Sequence, residues 1–260
     1  MSAEKYFLKR RQLVLASLLS AGLGKAFAQS SGNVSRIIVP FAAGGAREMP
    51  ARAIQQELSQ ETGQNWIIES KPGAGGAIGT AFVSKASPDG KTLLMAASSH
   101  FVTSAMGARP FYEPVKEFAP VANIGNQSYI LIVNSSVPVK TAAEFIQYAK
   151  SKPGVLNYNS AGVGSSTHLA MAYFAKTAEI DMVHVPYKGS GPAIVDVLGG
   201  QIEGIFSPLV DVLPHIRSGK LKAIGVTTKG RSDQLPGTPA INEALPGYEV
   251  TLWNGILVPA

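Results

Sequence analysis

Apolar and polar positions along this chain fall into short β-branched runs, glycine-rich turns and amphipathic stretches. Ile37-Ile38-Val39 is such a run, ending at Pro40 and a turn that holds Gly44 and Gly45. Ala51, Ile54 and Leu58 then share one helical face, with Glu and Gln between them, and predict a helix to about Thr62. Residues 66–68 read as a second strand that leads into Gly73-Ala74-Gly75-Gly76 and a helix to about Ala86. Pro88-Asp89-Gly90 turns the chain into a third strand over 92–96.

The pattern then repeats. A strand over 129–133 precedes a helix over 141–151, which Thr141 opens with Glu144 three residues on, the spacing of a capping box. Asn157-Tyr158-Asn159 runs into a small-residue loop at 160–166 and a helix to about Thr177. Strands at 182–185, 204–206 and 221–227 alternate with helices at 192–198 and 210–218. Such alternation predicts an α/β protein with parallel strands and crossover helices. Val39-Pro40-Phe41 before Gly44-Gly45 and Val185-Pro186-Tyr187 before Gly189 share a shape: strand end, Val-Pro-aromatic, glycine loop, helix. Two similar lobes facing each other across a cleft would explain the echo.

Charge changes this picture less than it first suggests. The chain carries 23 Lys+Arg against 17 Asp+Glu, a surplus that raises the question of an acidic partner. Lys5, Lys9, Arg10, Arg11 and Lys25 against Glu4 place a net charge of +4 in the first 28 residues, leaving +2 for the rest. Lys9-Arg10-Arg11, an apolar run over 13–23 and Ala26-Phe27-Ala28 have the order of a secretory signal peptide cleaved after Ala28. The run is far shorter than the roughly 20 residues of a spanning helix. Arg10-Arg11 also fits a loose twin-arginine pattern, beside the alternative of an ordinary leader. The expected product is an exported, periplasmic protein. With no Cys in the chain, disulfides, thiolate metal sites and Cys nucleophiles are excluded.

Four loops share one chemistry: residues 41–48, 73–77, 160–167 and 187–191 each follow a strand end and open a helix. Helix N-termini present unpaired N–H groups and a positive dipole, so converging loops of this kind bind carboxylates or phosphates without basic side chains. A dinucleotide site is disfavoured, because Ser98-Ser99-His100 stands where the confirming acidic residue belongs. No Gly-x-Ser-x-Gly elbow occurs, although Ser165 or Ser166 with His168 leaves an exported hydrolase as the alternative. His100, His168, His184 and His215 read as structural, and no pair has metal-ligand spacing. Scattered basic residues give no support for nucleic-acid binding, and no cofactor is indicated.

Several motifs resemble the receptors of tripartite tricarboxylate transporters, also called Bug solute-binding proteins. They are Ile38-Val39-Pro40-Phe41-x-x-Gly44-Gly45, Lys71-Pro72-Gly73-Ala74-Gly75-Gly76, Pro88-Asp89-Gly90, Ser160-Ala161-Gly162-x-Gly164-Ser165-x-x-His168 and Val185-Pro186-Tyr187-Lys188-Gly189. Leu198-Gly199-Gly200-Gln201, Leu213-Pro214-His215-Ile216 and Leu245-Pro246-Gly247-Tyr248 extend the match in order across the chain. The resemblance implies a non-enzymatic, two-lobed periplasmic binding protein of the type II-like, Venus-flytrap kind, closing on a small carboxylate that passes to membrane carrier subunits. That ligand would be a di- or tricarboxylate, an acidic amino acid or an aromatic acid, and the receptor a monomer. Carried over by motif, the ligand-binding positions are Phe41, Gly44, Gly45, Gly73, Ala74, Gly75, Gly76, Ala77, Ser160, Ala161, Gly162, Gly164, Ser165, Ser166, Tyr187, Lys188 and Gly189. Ser98 and Ser207 stand at loop positions that help shape the pocket.

Three departures from the family pattern stand out. Arg47-Glu48 replaces the usual Thr-Asp; Arg47 either pairs bidentately with a second carboxylate or points to solvent, and Glu48 keeps the acidic charge. Pro50 is compatible only with the first helical turn. The family pattern continues beyond Ala260, so the resemblance implies an incomplete first lobe, lower stability, and the alternative of a decayed paralogue that binds nothing. The expected division is a leader at 1–28, lobe one at 29–125 with 228–260 returning to it, and lobe two at 126–227.

Overall fold

The computed structural model of the protein describes residues 34–45, 47–105 and 111–260. The leader expected over 1–28 lies outside them. Strand β1 (Val34–Val39) is flanked in parallel by β2 (Asn65–Ser70) and β3 (Thr92–Ala97). Helices α1 (Glu48–Thr62) and α2 (Ala77–Ser84) make the crossovers, α2 after a single 3-10 turn at Ala74–Gly76. After α3 (Ser99–Ala105) comes β4 (Phe118–Asn134), the longest strand at 17 residues. The elements that follow are α4 (Ala142–Lys150), β5 (Asn157–Ser160), α5 (Ser166–Ala178), β6 (Val183–Pro186) and α6 (Ser190–Leu198). Then come β7 (Gly204–Pro208), α7 (Leu209–Arg217), β8 (Leu221–Val226), α8 (Ile241–Ala244) and β9 (Thr251–Pro259).

Parallel pairing holds within β1, β2 and β3 and within β5, β6 and β7. The joints between them are antiparallel: β4 against β7, β8 and β9, and β9 against β3. The strand order is β2-β1-β3-β9-β4-β7-β5-β6, with β8 on β4. Strand β4 is the hinge of this arrangement. Its residues 118–128 pair with β9, and its residues 129–134 pair with β7 and β8. Only the second half was legible as a strand. The first half contains Pro120 and Gly125, is interrupted by register shifts beside each, and exposes Val121 and Ile124, so no apolar alternation marks it.

Each sheet buries both faces, which is why its strands read as continuous apolar runs. Successive side chains point to opposite sides. Ile37 and Val39 pack with Ala51, Trp66 and Met95, whereas Ile38 packs with Ala77, Val83 and Leu94. Around β4 the same alternation sends Tyr129, Leu131 and Val133 to Phe145, Phe174 and Phe206, and Ile130 and Ile132 to Ile194, Val197 and Val212. Each such side chain contributes roughly 1.5–3 kcal/mol on burial.

The segment between β8 and β9 packs against the second sheet. Ala240, Ile241 and Tyr248 are fully buried in the cores around the second sheet, and the Tyr248 hydroxyl donates to the Ala170 carbonyl at 2.8 Å. Apolar burial keeps this stretch with α4 and α5, and β9 alone rejoins β3. Pro50 stands third in α1, within the first turn, where its missing N–H costs nothing. Thr141 caps α4 by accepting from the Glu144 N–H at 3.2 Å, but Glu144 reaches back to the Lys140 N–H rather than that of Thr141.

Candidate functional site

The four glycine loops follow the carboxyl ends of β1, β2, β5 and β6, where open α/β sheets bind ligands. They meet face to face. The Ala42 N–H donates to the Lys188 carbonyl at 3.0 Å, joining the first loop to the fourth through the backbone, while the Lys188 side chain stays exposed. The Tyr187 N–H donates to the Ser160 carbonyl at 3.0 Å, joining the fourth to the third.

Sterics make two of these positions glycine-only. A Cβ on Gly75, whose φ is +64°, would lie 2.3 Å from the Val163 carbonyl oxygen and 2.9 Å from the Ser165 nitrogen. A Cβ on Gly162, with φ +125°, would lie 2.9 Å from the Tyr187 carbonyl oxygen and 3.3 Å from the Gly75 nitrogen. Backbone therefore lies against backbone across the junction. In the third loop the N–H groups of Ala161, Gly162, Gly164 and Ser165 donate to Thr167 Oγ1, Ser160 Oγ, His168 Nδ1 and the Gly162 carbonyl, which fixes the loop's shape. Phe41 is buried beneath Gly76, its ring 3.1 Å from where a Cβ would stand.

Arg47 does not point to solvent. It is only 8% exposed, its guanidinium lies 4.2 Å above the Phe41 ring centre, and its Nη2 donates to Ser166 Oγ at 3.4 Å. Ser166 Oγ also accepts from the Tyr129 hydroxyl at 3.0 Å. The two arms of the molecule thus share a buried polar cluster that begins at a residue atypical of the family pattern. Glu48 has a different role. Its Oε2 accepts from the Gly44 N–H at 2.6 Å and its other oxygen pairs with Arg52. The Gly44 N–H first, and Arg52 second, hold its carboxyl below the ordinary value.

Ser98 and Ser207 are engaged locally. Ser98 Oγ accepts from the Trp253 N–H at 3.1 Å, and the fully buried Ser207 Oγ donates to the Pro208 carbonyl at 3.4 Å. Two residues at the junction escaped sequence reasoning. Tyr129 sits inside an apolar strand and carried no separate signal. Ser190 opens α6 directly after Gly189, lies 2.9 Å from where a Gly45 Cβ would stand, and donates to Asp211 at 2.9 Å. Its place at a helix start was the available cue.

The serines and His168 form no nucleophilic pair. Ser165 Oγ caps α5 by accepting from the His168 N–H, and it also contacts Thr167 Oγ1 at 3.0 Å. His168 Nδ1 accepts from the Gly164 N–H at 3.3 Å, and its ring stacks on His184 at 4.2 Å. His184 in turn contacts Ser160 Oγ at 2.7 Å. Burial, then the neighbouring His168, lowers the His184 pKa to about 4. Among the described residues no group of three or more His, Asp or Glu side chains could hold a metal ion, and no helix is long and apolar enough to cross a membrane. A cavity of about 640 Å³ lies elsewhere, on β4 between Asn126, Ser128, Val210 and Asp233.

Comparison with known proteins agrees with this geometry. Residues 50–260 match the family described as "Tripartite tricarboxylate transporter family receptor". The UPF0065 protein in the tcbD-tcbE intergenic region of a Pseudomonas species is 34% identical over 251 residues, covering 92% of this chain and 75% of that protein. Protein BugT of Bordetella pertussis is 32% identical over 227 residues, covering 86% and 70%. A solved structure described as a periplasmic transporter superposes with a TM-score of 0.83 at 39% identity, covering 88% of this chain and 78% of the other. Two proteins of Rhodopseudomonas palustris each give a TM-score of 0.83 at 32% identity: Rpa4515 with adipate, covering 89% and 78%, and MatC with bound malate, covering 88% and 79%. These neighbours are two-lobed α/β binding proteins, not hydrolases. The chain belongs to the receptor family of the tripartite tricarboxylate transporters.

Proposed function

We propose that this receptor captures a small carboxylate in the periplasm, between its two lobes, and presents it to the membrane subunits of a tripartite transporter. The first lobe comprises about 34–125 together with β9, and the second comprises about 126–250. Main-chain N–H groups at 73–75 hold the carboxylate, with the loops at 41–45, 160–166 and 187–189 enclosing it. Contacts to loops of both lobes favour the closed arrangement, so ligand binding is coupled to closure. The observation that carries this reading is the meeting of the glycine loops, with the Ala42 N–H on the Lys188 carbonyl and Gly75 against Val163. The binding of adipate and malate by proteins of the same fold at 32% identity supports the ligand class.

Thermal-shift screening of the protein against dicarboxylates, citrate, acidic amino acids and aromatic acids tests the proposal. At least one class is expected to raise the melting temperature. No shift with any of them would count against carboxylate capture.

A further inference from the structure

We infer that Arg47 is a specificity-determining residue that grips the second carboxylate of a dicarboxylate seated between the lobes. This rests on the receptor reading above and names its ligand class. A buried guanidinium needs polar partners for its five N–H donors, because a charge removed from water without them is costly. Arg47 has few. Phe41 covers one face, the Tyr129 hydroxyl and Ser166 Oγ (3.4 Å from Nη2) are its neutral polar neighbours, and the buried Nε has no hydrogen-bond partner.

No ion pair to Arg47 is found among the described residues: the pairs join Arg36 and Lys71 to Glu69, Arg52 to Glu48, and Arg231 to Glu243. Glu48, the adjacent acid, is held by the Gly44 N–H and Arg52. Arg47 also stands at the start of the 15-residue α1, the positive end of a helix dipole, where a cation is unfavourable and an anion is favoured. Nε and one Nη form the edge of the guanidinium that a carboxylate takes up side-on through two parallel hydrogen bonds. Main-chain loops recognise the carboxylate that every candidate acid has. Arg47 supplies the charged fork that distinguishes an acid with two.

The test is titration calorimetry of the protein with succinate, glutarate and adipate, each against its own monoamide, which removes one charge at nearly constant shape. The wild type is expected to prefer at least one diacid over its monoamide by at least ~10-fold. Arg47→Met should weaken that diacid by ~10- to 100-fold while leaving the monoamide within about twofold. Arg47→Lys, which keeps the charge without the fork, should fall between, and it decides the matter if Arg47→Met does not give a cooperative melt. Equal weakening of diacid and monoamide, or no preference in the wild type, would overturn the inference and leave the receptor reading standing. Absence of binding by every probe would remove both.

Discussion

Gly75 and Val163 approach so closely that a Cβ on Gly75 would stand 2.3 Å from the Val163 carbonyl oxygen. The two residues come from glycine loops on opposite sides of the β4 crossing, so this contact reports the closed arrangement directly. Gly75→Ala is expected to weaken carboxylate binding by at least ~10-fold and to cost roughly 1–2 kcal/mol from its left-handed φ. Gly90→Ala carries the same backbone cost, with φ +74° and open space around it, in an exposed turn remote from the loops. It should lower the melting temperature and leave affinity unchanged. Equal affinity losses in the two variants would show that backbone strain, not closure, is being measured.

The stacked His168–His184 pair makes stability fall in acid. The neutral rings lie 4.2 Å apart, and burial first, then the His168 neighbour, depresses the His184 pKa to about 4 from 6.5. Its folded-state pKa is below the unfolded one, so the unfolded chain takes up the proton first. Stability from this group is therefore complete above pH 6.5 and is lost as pH falls toward 4. Because His184 contacts Ser160 in the third loop, ligand binding by the folded protein should weaken only as pH approaches about 4, where the ring itself takes up the proton. Melting temperatures between pH 7.5 and 4.5 should decline less steeply in His184→Gln than in the wild type. Parallel curves would contradict the assignment.

Anchoring of the segment between β8 and β9 rests on Tyr248, which stacks on Phe206 and packs edge-on to Phe174. Phe174 is fully buried, and Phe174→Ala should destabilise the protein by about 3–5 kcal/mol through transfer and cavity costs. Tyr248→Phe removes only the hydrogen bond to the Ala170 carbonyl, which lies inside α5 and keeps its helical partner, and should cost about 0.5–1.5 kcal/mol. Urea denaturation measures both. A Phe174→Ala loss no larger than that of Tyr248→Phe would argue against this core as the anchor.

The strands and helices that obey a simple period were legible before the fold was seen, as were the glycine loops that end them. The echo between Val39-Pro40-Phe41 and Val185-Pro186-Tyr187 suggested two similar facing lobes, and the loops after these motifs meet where the Ala42 amide donates to the Lys188 carbonyl. What stayed hidden depends on long-range pairing. The first half of β4 is exposed and bulged, and β9 takes its place only by pairing with β3 and β4, which lie far away in sequence. Tyr129 looked like one more strand residue, although its hydroxyl reaches across to Ser166. The burial of Arg47 was equally invisible, because the polar residue over which it folds, Ser166, is 119 positions away. The charge surplus that first suggested an acidic macromolecular partner lies mostly in residues 1–28.

The most direct test of the account is a crystal structure of the protein with a carboxylate that raises its melting temperature. The account predicts one carboxylate within hydrogen-bond distance of main-chain N–H groups at 73–75, enclosed by the loops at 41–45, 160–166 and 187–189. An acid seated instead in the cavity beside Asn126, Val210 and Asp233, with the glycine loops untouched, would contradict it.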